Sequence, residues 1–131
     1  MYKDGILNSS INQVVGNLGH TDCICIGDCG LPVPEGVPKI DLAVRMGSPT
    51  VEEILSELAD HVCVEKIILA RELEEQSPGV FESLQALFPE AVREITPHED
   101  FKKRVGNCRA MIRTGDTCAY ANIILQSGCI F

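Results

Sequence analysis

Leu18-Gly-His-Thr-Asp-Cys-Ile-Cys-Ile-Gly-Asp-Cys-Gly-Leu-Pro-Val-Pro34 is the stretch whose reading decides the fold. Gly19 suits the residue that ends a helix, so His20 falls where the chain turns out of one. Cys23, Ile24, Cys25 and Ile26 follow without a polar break. A half-exposed strand would alternate apolar with polar residues, so residues 21–27 read as a strand covered on both faces. Asp28 stands at the carboxyl end of that strand, and Gly30, Pro32 and Pro34 stop any regular continuation. In open α/β sheets the carboxyl ends of strands face the ligand crevice, which makes Asp28 a candidate site residue.

Upstream, Ile11, Val14, Val15 and Leu18 recur at helical spacing and predict a helix over residues 10–18, with Asn8, Ser9 and Ser10 offering N-cap oxygens and Ser10 with Gln13 able to form a capping box. Downstream, residues 39–44 alternate well enough for a second strand. Ser48-Pro49 reads as the start of a helix running to His61, with Val51, Ile54, Leu55 and Leu58 inward. Residues 62–70 read as a third strand. Ser77-Pro78 opens another helix that Pro89 closes, and residues 92–96 form a short strand. Thr96-Pro97-His98-Glu99 predicts a helix capped by Thr96 and Glu99, placing His98 in its first turn. Residues 108–113 and 121–126 are the last two strands. Their linker around Gly115-Asp116-Thr117 is too short for a crossover helix, so an antiparallel edge is expected. Strands alternating with helices on short connections indicate an α/β domain with a largely parallel, mixed sheet. Residues 1–131 are expected to form one such domain.

The totals exclude several function classes. The chain has 131 residues, 45% of them hydrophobic, and a formal net charge of -8. Phosphate backbones are bound by clustered Lys and Arg, and the one basic run, Lys102-Lys103-Arg104, reads as the solvated end of a helix, so no nucleic-acid partner is expected. No apolar run is long enough to cross a bilayer and no leader pattern opens the sequence, so no membrane partner is expected and a cytoplasmic location is. Seven Cys, an odd number placed partly in strands, fit reduced thiols serving as small hydrophobes. His20, Cys23, Cys25 and Cys29 are spaced too irregularly for zinc, which stays the weaker reading.

Each polar candidate also has an ordinary structural reading. His20 suits a helix C-terminus, where imidazolium charge is favourable. Asp28 suits a cap of the turn into Gly30. His98 and His61 read as solvated helix-end residues, Tyr120 as edge packing beside Asn122, and Cys29 as a structural thiol rather than a nucleophile. Singly, none decides function.

Together they resemble a known family. Leu18-Gly-His-Thr-Asp, Gly27-Asp-Cys-Gly-Leu-Pro and Lys39-Ile-Asp-Leu-Ala resemble the opening half of the D-ribose pyranase family. Thr96-Pro-His-Glu-Asp-Phe101 and Ile112-Arg-Thr-Gly-Asp-Thr-Cys-Ala-Tyr-Ala-Asn-Ile-Ile-Leu125 resemble its later segments, while residues 56–94 are generic. The resemblance implies a single-domain three-layer α/β/α fold and an enzyme that interconverts the pyranose and furanose forms of D-ribose. It implies no metal and no organic cofactor, and a homodecamer of two pentameric rings with active sites near subunit contacts. By position, His20 matches the family's catalytic proton donor, and Asp28, His98 and the Tyr120, Ala121, Asn122 segment match its sugar-binding residues. Cys29 departs from the Ala common among relatives. The rivals are a fucose-type mutarotase, which exchanges anomers, a non-catalytic sugar-binding module, and a Cys29-dependent hydrolase.

Overall fold

The computed structural model describes all 131 residues. In chain order the elements are α1 (Ser9–Gly16), β1 (Cys23–Gly27), β2 (Lys39–Asp41), α2 (Val51–His61), β3 (Val64–Ala70), α3 (Arg71–Gln76), α4 (Pro78–Ala86), β4 (Val92–Thr96), α5 (His98–Val105), β5 (Met111–Arg113) and β6 (Ile123–Ser127). The six strands form one sheet in the order β2-β5-β1-β6-β3-β4. Every pairing is parallel except those of β6, which runs antiparallel to both β1 and β3.

The antiparallel strand therefore lies at the centre of the sheet and not at the expected edge. β5 does not pair with β6, because β5 is taken up between β1 and β2. The linker between them crosses the carboxyl end of β1, where Thr114 donates both its N–H and its hydroxyl to the Gly27 carbonyl at 2.9 Å. The Cys29 N–H donates to the Asp116 carbonyl at 2.9 Å. From there the chain enters the gap beside β1 running the opposite way.

Alternation along the strands divides the core in two. Ile24 and Ile26, Ile67 and Leu69, and Ile123 and Leu125 point to one face, against Ile11 of α1, Leu55 and Leu58 of α2, Leu73 of α3, and Phe81 and Leu84 of α4. Cys25, Ile68, Met111 and Ile124 point to the other, against Phe101 and Val105 of α5 and Leu31. The three layers are thus uneven, with four helices on one face and one on the other. The loop after β1 covers what α5 leaves open.

Three helix starts differ from the local expectation. α1 takes its cap from Asn8, the first of the three offered oxygens, whose Oδ1 accepts from the Ile11 N–H at 3.0 Å, so the helix starts at Ser9 and no Ser10–Gln13 box forms. α2 starts after Thr50: its hydroxyl accepts the Glu53 N–H at 3.2 Å and Glu53 accepts the Thr50 N–H at 2.6 Å, a complete capping box. α5 has no side-chain cap of its own, and the Thr96–Glu99 box does not form. Instead Glu72 of α3 accepts the His98 N–H at 2.9 Å, while Glu99 pairs with Lys102 at 2.7 Å. A cap from another element ties the first turn of α5 to α3, which stabilises the placement of His98.

The cysteines serve mostly as expected. Cys25 and Cys108 are buried, and burial pushes both thiols up, that of Cys108 to about 12. Cys63 and Cys129 are the exceptions: both are exposed, the Cys63 thiol just before β3 donating to the Cys129 carbonyl at 3.1 Å.

Candidate active site

The carboxyl ends of β1 and β4 and the amino end of β6 meet around an open pocket of about 260 Å³. Asp28, Gly30, Leu31, Pro32, His98, Lys102, Ala119, Tyr120 and Asn122 line it. That is below the roughly 300–1,000 Å³ of drug-sized sites and suits a small polar ligand. Four of the residues expected from the sequence are in this wall: Asp28, His98, Tyr120 and Asn122. Ala121 is fully buried behind it and acts as packing.

The pocket is held together from Asn122 outward. Its Oδ1 accepts the Asp28 N–H at 2.7 Å, joining the start of β6 to the end of β1. Gly27 leaves room for this contact: a Cβ there would stand 2.8 Å from the terminal methyls of Leu31 and Met111 and 3.2 Å from Asn122 Oδ1. Asp28 closes its own turn by accepting the Gly30 N–H on Oδ1 at 2.8 Å. Tyr120 is in the left-handed region at φ 65, a conformation that costs a non-glycine residue and is found where a site requires it. That conformation sets its ring edge-on to His98, with centroids 4.9 Å apart and planes at 80°. Phe101 stacks on His98 with centroids 6.2 Å apart and planes at 11°. The imidazole is therefore packed against two aromatic rings.

Two polar atoms in this wall are buried without a protein partner: His98 Nδ1 and Asn122 Nδ2. Buried polar groups are nearly always paired, so these two atoms are hydrogen-bonding capacity that the protein leaves open to a ligand or water beside one pocket. Lys102 was missed by reading its basic run as a solvated helix end. It follows His98 by four residues, one helical turn, and that spacing was the available signal. Glu99, to which Lys102 donates, is held below the usual carboxylate range first by that bond.

His20 is elsewhere. It precedes β1, where the Thr21 N–H donates to the Ser127 carbonyl of β6 at 2.9 Å, whereas Asp28 follows β1. The five residues of β1 separate the two by about 16 Å of strand. Its Nε2 lies 2.9 Å from Glu65 Oε2, and Gln126 Nε2 donates to Glu65 Oε1 at 2.6 Å. Thr21, beside it, is a second left-handed residue at φ 70.

The other candidates are accounted for structurally. His61 closes α2 and lies 4.0 Å from Glu57. Cys29 accepts Arg113 Nε on its backbone carbonyl at 3.2 Å. A larger apolar cavity of about 330 Å³, between the N-terminal segment and α2, has only Asn8 and Glu57 as polar side chains. No three His, Cys, Asp or Glu side chains gather at metal-binding spacing. No helix is long and apolar enough to cross a membrane.

Known proteins share this sequence and fold. The chain is 49% identical to a D-ribose pyranase of Bacillus licheniformis and 50% identical to one of Staphylococcus haemolyticus, in each case over 131 residues and the whole of both chains. Its fold matches that of Bacillus subtilis RbsD complexed with D-ribose at a TM-score of 0.97, with 44% identity over the whole of both chains. A fucose mutarotase from Streptococcus pneumoniae, in complex with L-fucose, shares the fold at a TM-score of 0.80 with 20% identity over 95% of each chain. The model of the RbsD / FucU transport protein family matches residues 1–130, so this sheet, with its reversed central strand and the pocket at its end, belongs to a member of that family.

Proposed function

We propose that this chain is a D-ribose pyranase, an isomerase that interconverts the pyranose and furanose forms of D-ribose. The observation that carries the reading is the pair of buried, unpartnered atoms, His98 Nδ1 and Asn122 Nδ2, in a small pocket that also holds Asp28. A sugar presents hydroxyls that donate and accept, which is what an imidazole nitrogen, an amide N–H and a carboxylate require. The full-length D-ribose pyranase relatives support the same substrate.

Ring opening needs a proton on the ring oxygen and loss of one from the anomeric hydroxyl. His20, as the acid, gives its proton to the ring oxygen while the C1–O5 bond breaks and its electron pair stays on O5. Water takes the anomeric proton, and C1 becomes an aldehyde. Closure through O4 reverses the steps: O4 bonds to C1, His20 recovers a proton from O4, and water returns one to O1. Imidazole suits both directions, and such positioned acid–base groups contribute about 10²–10⁴-fold. Asp28, His98, Tyr120 and Asn122 hold the sugar hydroxyls, with Lys102 beside them.

About 16 Å of strand keeps His20 from the pocket of its own chain, so His20 acts in the pocket of a neighbouring copy. Self-association is then a requirement of the chemistry. The homodecamer of two pentameric rings implied by the sequence resemblance supplies the neighbour. Exposed Val44, Met46, Ile130 and Phe131 provide apolar surface for such contacts. A cytoplasmic location belongs to the same reading and accords with seven unpaired thiols.

The test is NMR saturation transfer between ribopyranose and ribofuranose. Native protein is expected to accelerate exchange, and His20→Ala and Asp28→Asn to do so hardly at all. Assemblies formed from both variants together are expected to regain activity, since some pockets then receive an intact His20 and an intact Asp28. Native protein that binds ribose without accelerating its exchange would leave a sugar-binding module.

A further inference from the structure

We infer that Glu65 is the positioning residue of His20, and that Nδ1 of His20 is the atom that exchanges a proton with the sugar. The inference rests on the ribose reading above and adds to it a residue and an atom. It starts from the ladder between β3 and β6. Val64 pairs with Ser127 and Lys66 with Gln126, so Glu65 is an extra residue with no partner opposite. Such a bulge re-aims the side chain it carries. Here the carboxylate is brought between two side chains from neighbouring strands and loops. Gln126 Nε2 donates to Oε1 at 2.6 Å, and His20 Nε2 lies 2.9 Å from Oε2.

Both oxygens of Glu65 are thus committed, one to a group that can only donate through its nitrogen. Those bonds, the one from Gln126 first, hold the Glu65 carboxyl below the usual carboxylate range, so it is a carboxylate throughout the range in which imidazole works. A carboxylate has no proton to give, so the Nε2 of His20 carries the N–H. The neutral imidazole then has its lone pair on Nδ1, which makes no bond to the protein. On the loop side, His20 is followed by the left-handed Thr21, at φ 70. Asp22 is kept away from the imidazole by its own bonds to the Gly19 N–H and to Arg109, at 2.9 and 2.8 Å. Lys66 points to Glu94, 3.7 Å away. The imidazole therefore has one carboxylate partner, and the pair is delivered to a neighbouring pocket as a single unit from one chain.

The test combines a spectroscopic readout with kinetics. Nitrogen-15 NMR of the His20 ring in native protein at mildly alkaline pH is expected to show the proton on Nε2. A neutral ring protonated on Nδ1 would overturn the assignment of the atom. Glu65→Ala is expected to leave a mixture of the two tautomers and to lower kcat for ribose about tenfold with KM within about twofold, as loss of a charge-assisted hydrogen bond implies. Glu65→Asp is expected to restore Nε2 protonation and part of the rate. Unchanged tautomer and kcat in Glu65→Ala would overturn the positioning role. The native-protein spectrum decides the point even where Glu65→Ala fails to fold. If native protein does not accelerate ribose exchange, the ribose reading fails, while the ring spectra still report whether Glu65 governs His20.

Discussion

Asn122 accepts the Asp28 N–H through Oδ1 at 2.7 Å while its own Nδ2 is buried without a partner. One side chain thus builds the pocket with one end and offers a donor to the ligand with the other. The two duties are separable by substitution. Asn122→Asp keeps an acceptor for Asp28 and removes the donor. It should lower stability most near neutral pH, where the new carboxylate is buried beside Asp28, and raise the KM for ribose about tenfold, the worth of one hydrogen bond to a buried group. Asn122→Ala should also lose about 1–3 kcal/mol of stability in urea titration, because the Asp28 N–H is left unpaired.

His98 is held by Tyr120 and Phe101, so its ring and its Nδ1 make different contributions. His98→Asn places an amide near the position of Nδ1 and loses the ring contacts, whereas His98→Phe does the reverse. If Nδ1 binds a hydroxyl, ribose affinity measured by calorimetry should survive better in Asn than in Phe, while Tm should fall more in Asn.

The acid side of the stability profile follows from Glu94. Its carboxyl is held below the usual range first by the hydrogen bond from Arg104, with Lys66 3.7 Å away. A depressed carboxyl stabilises the fold above its unfolded value, and that contribution is lost as pH falls through the folded one. Asp22 and Glu65 are shifted in the same direction. Tm should therefore fall as pH drops from about 5 to about 3. Glu94→Gln should lower Tm at neutral pH and flatten this dependence, whereas an equal slope in the variant would exclude Glu94 as a source.

Thr21 holds φ 70, which a β-branched residue adopts at a cost. Asn tolerates that region, so Thr21→Asn should stabilise the fold by about 1 kcal/mol and raise Tm by a few degrees. Activity should be retained if His20 keeps its bond to Glu65. Tyr120, at φ 65, should not respond in the same way, because replacing it removes the ring packed on His98.

Much of the site was legible before folding. Asp28 was marked by a buried apolar run ending in Gly and Pro, and His98 by the Pro that opens its helix. Lys102 was legible only as a helix-turn partner of His98, and its place in a basic run concealed it. Glu65 carried no local signal. Its side chain has a role only because a bulge turns it toward two residues that are 45 and 61 positions away.

The sequence by itself determined the strands, four of the five helices and the α/β class, because apolar spacing depends only on the local period of the backbone. It also determined which residue types stand at the ends of the strands. It did not show α3, whose six residues carry a single buried apolar side chain, Leu73. Tertiary structure alone decided that β6 enters the centre of the sheet, since pairing there depends on which neighbour offers free backbone groups. It decided as well that α5 is capped by Glu72 and not by its own Thr96. The order of residues along the chain already put His20 and Asp28 at opposite ends of one strand, since an extended chain turns eight residues into distance. Tertiary structure alone decided that His98, Tyr120 and Asn122 gather at the Asp28 end and Glu65 and Gln126 at the His20 end, because those contacts join residues far apart in sequence.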